Sequence, residues 1–135
     1  MMKIEELVDN FAFFDSWEDK YRYLIELGDN MPTLSPEFLT EEWKVKGCQS
    51  QVWLVPQKNA DGTLTFSGTS DAAIVKGLIS IVLCIYNGKT PQEIVDVDID
   101  DIFSSLGLHE HLSPSRRNGL EAMVEKIKHY AAVMK

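Results

Sequence analysis

Cys48 has the surroundings of a nucleophile. A cysteine that serves packing normally sits within an apolar stripe, because the free thiol behaves as a small hydrophobe. Cys48 instead lies between Gly47 and the polar run Gln49, Ser50 and Gln51, with Lys44 and Lys46 just upstream. Glycine gives backbone room and the polar neighbours supply hydrogen-bond donors. The lysines bring positive charge, which lowers a thiol pKa and enriches the thiolate. This pattern predicts a reactive thiol on an exposed turn. Cys84 is the internal contrast, since it falls on an apolar stripe with Ile81 and Ile85 and is expected in the core. The two cysteines lack CxxC spacing and read as neither a disulfide framework nor a metal knuckle.

Other residues that can carry chemistry are fewer. His109 and His111 flank Glu110, and with the two cysteines they make up a nominal Cys₂His₂ set. The cysteines do not have the paired spacing of a closed zinc site, so ordinary loop histidines are the simpler reading. A Cys–His hydrolase pairing remains an alternative. Arg116 and Arg117 fall in the first turn of a predicted helix, where each cation opposes the helix dipole by roughly 0.3–1 kcal/mol. A carboxylate of the same domain, or an acidic surface on a partner or the active loop, would offset them. Asp71 follows Ser70 at the start of another helix, where an acid is favourable for the same reason. Asp96, Asp98, Asp100 and Asp101 have the spacing of a solvated face and lack the glycine and terminal glutamate of a calcium loop. Neither GxGxxG nor a Walker motif is present.

These residues must be positioned by elements that the periodicity defines. Ile4, Leu7, Val8, Phe11 and Phe14 keep helical spacing. Ser16 offers an N-cap for a second helix whose buried face is Trp17, Tyr21, Leu24 and Ile25, with Gly28 as its stop. A loop with Pro32, Ser35 and Pro36 spans 29–37. The period then changes to two: Trp43 and Val45, the run 52–55, and Leu64 with Phe66, the last two joined by Asp61-Gly62. Three antiparallel strands in a meander are expected, with Cys48 on the tight connection between the first two. Ser70 is expected to cap a helix with the stripe Ile74, Leu78, Ile81, Cys84 and Ile85, ended by Asn87-Gly88. Thr90-Pro91-Gln92-Glu93 is a capping box with proline at the first helical position. A short acidic helix over 99–106 stops at Gly107, and Ser113-Pro114 starts the last helix, with Leu120, Met123, Val124, Ile127 and Ala131 facing inward. The order implies an α+β two-layer sandwich, a three-stranded antiparallel sheet flanked by helices.

Composition bounds the rest. A chain of 135 residues with 44% hydrophobic residues fits one domain over 1–135 with one ordinary core. A formal charge of -8 argues against nucleic acid and against an anionic membrane surface. The most apolar run, 78–86, is far shorter than the roughly 20 residues that span a bilayer. The start of the chain has an acidic helical pattern and no apolar signal segment. A cytoplasmic protein is expected.

Gly47-Cys48-Gln49-Ser50-Gln51-Val52-Trp53-Leu54 resembles the SufE family, sulfur acceptors of iron–sulfur cluster assembly that include the close relative CsdE. Three further segments resemble it in the family's order: Trp17-Glu18-Asp19-Lys20-Tyr21 running to Glu26-Leu27-Gly28, Ser70-Asp71-Ala72-Ala73 running to Leu78, and His111-Leu112-Ser113-Pro114-Ser115-Arg116 followed by Asn118-Gly119-Leu120. One departure is Trp43, where members commonly carry asparagine. The resemblance implies a SufE/IscU-like fold. It also implies a sulfur carrier in which Cys48 takes the terminal sulfur from the persulfide of a PLP-dependent cysteine desulfurase, of the SufS or CsdA kind, and stimulates that enzyme's turnover. The sulfur would then pass to a cluster scaffold such as SufBCD. Such a protein is an activator and co-substrate more than a stand-alone enzyme, and it binds no cofactor, the PLP being the partner's. Asp71 and Arg116 match family positions near the active loop and partner surface, and Gly47, Gln49 and Ser50 hold the loop. An IscU-like cluster scaffold is the alternative within the same fold, but it needs about three cysteine ligands and this chain has two.

Overall fold

Helix α3 (Ala73–Tyr86) is apolar on most of its circumference and forms the spine of the core, burying Leu78, Ile79, Ile81, Val82, Leu83, Ile85 and Tyr86. In this computed structural model residues 3–134 are described, apart from the side chain of His109. The expectation for His109 therefore lies outside the described residues. Before α3 come α1 (Ile4–Phe13), α2 (Trp17–Asp29), two 3₁₀ turns (Pro36–Phe38 and Glu41–Trp43), and strands β1 (Val52–Lys58) and β2 (Leu64–Ser70). After it come α4 (Pro91–Asp96), α5 (Ile99–Leu106), a one-turn α6 (Leu108–His111) and α7 (Pro114–Val133).

Local chemistry sets most of these boundaries. The Ser16 hydroxyl accepts from the Asp19 N–H at 3.2 Å and starts α2. Thr90 and Glu93 satisfy each other's backbone N–H groups in the expected capping box. Asp98 caps α5, Gly107 ends it in the left-handed conformation, and Ser113 caps α7. Every inward residue expected on the last helix is buried. In α2, however, Ile25 is 37% exposed, and Leu24 carries the burial with Trp17 and Tyr21 half-covered.

Gly28 does not stop α2. It lies inside the helix, buried against α3 at a crossing that only glycines permit. A Cβ on Gly28 would lie 2.7 Å from Lys76 Cβ, and one on Gly77 would collide with the Leu24 carbonyl. Close backbone approach, and not helix termination, is what these glycines supply.

The structure is α+β, with helices packed against a sheet, but the sheet has two antiparallel strands where three were expected. β1 and β2 pair from Val52 opposite Ser70 to Lys58 opposite Leu64, around a turn in which Asp61 accepts from the Thr63 N–H and hydroxyl. The third strand is reduced to an isolated bridge of Lys44 with Trp53 and a 2.8 Å bond from Val45 N–H to Val52 O. The 3₁₀ turn through Trp43 precedes this contact, and Lys46-Gly47 turns away after it. Four alternating residues are too few to extend a ladder between those two bends. The other edge is covered in the same way, by Lys89 bridging Leu64 and by Asn87 Oδ1 accepting from the Phe66 N–H at 2.8 Å. Among the described residues no helix is long and apolar enough to cross a membrane.

Candidate functional site

The loop that carries Cys48 is fastened at both ends. At its start Val45 is buried and bonded to Val52, and Gly47 then turns the chain with a φ of +92°, where a side chain would be strained. At its end the Gln51 N–H donates to Asp71 Oδ1 at 3.0 Å, and the Asp71 N–H returns a bond to Gln51 O at 3.3 Å. Asp71 therefore does not open α3. Ser70 completes β2, Ala72 is the N-cap, and the Asp71 carboxylate serves the loop instead of the helix dipole.

Between these anchors the chain dips towards α7. Cys48 is half-buried, not on an exposed turn, and its Sγ donates to the Gly119 carbonyl at 3.5 Å. It opens on a cavity of about 260 Å³ whose apolar floor is Ile74, Val75 and Leu78 of α3 with Leu120 and Met123 of α7. Gln49 and Ser50 complete the loop side, and Ser113, Ser115 and Arg116 form the side contributed by the start of α7. Cys48, Gln49, Ser50 and Arg116 are thus brought together, while Gly47 and Asp71 hold the loop from outside the cavity wall.

The electrostatics differ from the expectation. Burial pushes the Cys48 thiol up, not down. The S–H bond to a carbonyl favours the protonated form in the same direction. Lys44 and Lys46 do not offset this, because they border a different groove together with Glu41, Glu42 and Glu125, and Lys44 pairs with Glu41 at 3.7 Å. Spacing along the chain brought the lysines near Cys48, but in space they lie on a groove with three glutamates, one of which pairs with Lys44. In the resting protein Cys48 is a sheltered thiol.

Gly119 is the residue that sequence reasoning passed over. It is buried inside α7, and a Cβ placed on it would lie 3.5 Å from Cys48 Sγ. A lone glycine inside an otherwise regular helix was the available signal. His111, the described histidine of the pair, has its own structural contacts. No histidine lines the Cys48 cavity among the described residues, and His111 instead stacks on Trp17 with ring centroids 4.0 Å apart. Tyr21 donates its hydroxyl to His111 O at 2.7 Å, and Lys20 Nζ lies 4.9 Å from the Trp17 ring on which the histidine stacks. This clamp fixes the corner from which Ser113 and α7 set out. Cys84, expected in the core, is half-buried and borders a second cavity of about 350 Å³ with Leu7, Met31 and Ser80. Burial also pushes its thiol up. Among the described residues no three His, Cys, Asp or Glu side chains come together as a metal-binding group.

Comparison with known proteins matches this chain to one family. The SufE family, described as an Fe–S metabolism associated domain, matches residues 5–131. An uncharacterized SufE-like protein of Rhizobium meliloti is 51% identical over 131 residues, covering 95% of this chain and 94% of its own. A second SufE-like protein, of Rhizobium etli, is 48% identical over 136 residues, covering 98% and 92%. The solution structure of a hypothetical protein from Thermus thermophilus has the same fold, with a TM-score of 0.77 at 20% identity over 97% of this chain and 94% of that one. The chain belongs to the SufE family of Fe–S metabolism proteins.

Proposed function

We propose that this protein is a sulfur carrier in which Cys48 accepts sulfur as a persulfide from a PLP-dependent cysteine desulfurase, of the SufS or CsdA kind, and passes it on to iron–sulfur cluster assembly on a scaffold such as SufBCD. The observation that carries this reading is a half-buried thiol that opens on its own cavity, on a loop anchored at both ends and touching α7 through the Cys48 thiol itself. The Cys48 thiolate attacks the outer sulfur of the donor's persulfide, the new S–S bond forms, and the donor cysteine leaves as a thiolate. The desulfurase brings the PLP, and this chain contributes the acceptor and the shelter. We place the transfer in the cytoplasm.

A protonated, sheltered thiol is a poor nucleophile, so the donor must draw the loop out or supply charge when it docks. The hinges for that motion are Gly47 on one side and the Asp71–Gln51 pair on the other. Equal alkylation rates of Cys48 with and without desulfurase would count against the motion.

A cluster scaffold would need several ligands on one site, and the described lining of the cavity offers one thiol and no histidine or carboxylate. A Cys–His hydrolase would need an imidazole at Cys48, where the partner is the Gly119 carbonyl. Intact mass spectrometry after incubation with a cysteine desulfurase, PLP and free cysteine tests the proposal. One added sulfur, removed by reductant and absent from Cys48→Ser, is the expected result, and no gain in the wild type would sink it.

A further inference from the structure

Arg116 stands at the Cys48 cavity without an ion-pair partner. It lies in the first turn of α7, where a cation opposes the helix dipole. Among the described residues no carboxylate pairs with it, and the bond to Ser113 Oγ, at 3.4 Å, uses its backbone N–H and leaves the guanidinium open. Among the described lining residues of the cavity it alone carries a charge.

The cavity is also larger than its proposed cargo. It measures about 260 Å³, whereas a water molecule's share of liquid is roughly 30 Å³. A persulfide adds a single sulfur atom beyond Sγ and leaves most of that space open. What remains is apolar towards α3 and, among the described lining residues, has three hydroxyls, Ser50, Ser113 and Ser115, beside the cation of Arg116. A small molecule with a short apolar stem and a single planar anion matches this lining, because the guanidinium fork pairs with a carboxylate through two parallel hydrogen bonds. A dianion would call for a second cation.

We propose that the cavity is a subsite for a small thiol bearing a carboxylate, which Arg116 holds by charge while the thiol takes the outer sulfur from Cys48. This rests on the persulfide reading of Cys48 but adds an acceptor that is not a protein. The small thiolate attacks the outer sulfur of Cys48–S–SH, and the bond between that sulfur and Sγ breaks. The electron pair leaves on Sγ as a thiolate, and the small molecule departs as its own persulfide. Sγ then takes a proton from solvent and returns to the Gly119 carbonyl. No outside oxidant or reductant enters.

The test loads Cys48 without a desulfurase, by forming a mixed disulfide with an aryl disulfide reagent and displacing the aryl thiol with sulfide. Peptide mass mapping separates sulfur on Cys48 from sulfur on Cys84. Loss of the added sulfur is then timed with mercaptopropionate and with its methyl ester, at matched thiolate concentrations. The ratio of the acid rate to the ester rate is expected to fall about fivefold from wild type to Arg116→Gln, the size of a favourable exposed ion pair. The wild-type ratio should also fall as salt is raised. Thermal unfolding checks that the variant is folded. An acid-to-ester ratio that is the same in both proteins, or insensitive to salt, overturns the proposal. If a desulfurase fails to load Cys48, that result bears on the donor reading alone, because the persulfide here is made chemically.

Discussion

Replacing Gly119 with alanine should make the protein more stable and its thiol less useful. Gly119 is the sixth residue of α7, well inside the helix, where glycine costs about 0.8–1 kcal/mol relative to alanine. The added methyl would lie 3.5 Å from Cys48 Sγ, 3.8 Å from its Cβ and 4.0 Å from its Cα, which are contact distances and not collisions. The folded protein should therefore gain about 1 kcal/mol, a rise in Tm of about 3 °C for a chain of this size. The same methyl stands where Cys48 needs room. If the second sulfur on Sγ projects along α7 and not into the wider cavity, the methyl competes with it, and overpacking of that kind typically costs about 1–3 kcal/mol. Since 1.4 kcal/mol is a factor of ten, sulfur uptake from a desulfurase should slow by about fivefold or more. Thermal unfolding and time-resolved mass spectrometry of Cys48 measure the two effects on one sample. A raised Tm with unchanged uptake would refute the idea that α7 shapes the space around Sγ. A lowered Tm would show that the contact between Gly119 and Cys48 does not tolerate even a methyl.

Two further outcomes follow from groups outside the cavity. Asp71→Ala removes the acceptor of the Gln51 N–H at the far end of the loop, an exposed bond worth about 1 kcal/mol. Iodoacetamide labelling of Cys48 in the free protein should rise by up to about fivefold, and an unchanged rate would mean that the loop is held elsewhere. Tyr86 is fully buried, its hydroxyl has no hydrogen-bond partner among the described residues, and burial pushes its pKa up to about 12. Below the unfolded value of about 10 the folded state keeps the proton at no penalty, and stability falls as pH rises from there to about 12, by on the order of 2–3 kcal/mol. Tyr86→Phe should be neutral or stabilising by about 1 kcal/mol at pH 7 and should lose that part of the alkaline decline; a loss above 1 kcal/mol in denaturant unfolding at pH 7 would contradict it.

Elements fixed by local chemistry were legible along the chain. Ser16, Thr90 with Glu93, and Ser113 cap the helices they were expected to cap, because a side chain and an N–H three residues on need nothing else to meet. The Asp61 turn is local in the same sense. Gly28 and Ser70 were misread for the opposite reason. Each has a plausible local role, as helix stop and helix cap, but Gly28 answers to α3 and Ser70 to the β1 register. The third strand failed because its four-residue alternation competes with a 3₁₀ turn before it and a glycine turn after it.

For the site the division is sharper. Residue type and neighbours singled out Cys48, since a cysteine among glycine and polar residues lies outside any apolar stripe of the sequence. Its protonation was decided elsewhere. Distance along the chain placed two lysines beside the thiol, whereas in space their groove holds three glutamates and the thiol faces a carbonyl 71 positions on. A pKa depends on burial and on charges within a few ångströms, and neither can be read from spacing. The same holds for the walls of the cavity. The segments around Trp17 and His111 were recognisable separately, but only their stacking, 4.0 Å apart, fixes the corner from which Ser113 and α7 set out along the cavity. Sequence by itself singled out the thiol that we propose reacts. Tertiary structure decided that it rests as a protonated thiol in a cavity that Arg116 also lines, because burial and charge balance are properties of packed surfaces and not of neighbours in the chain.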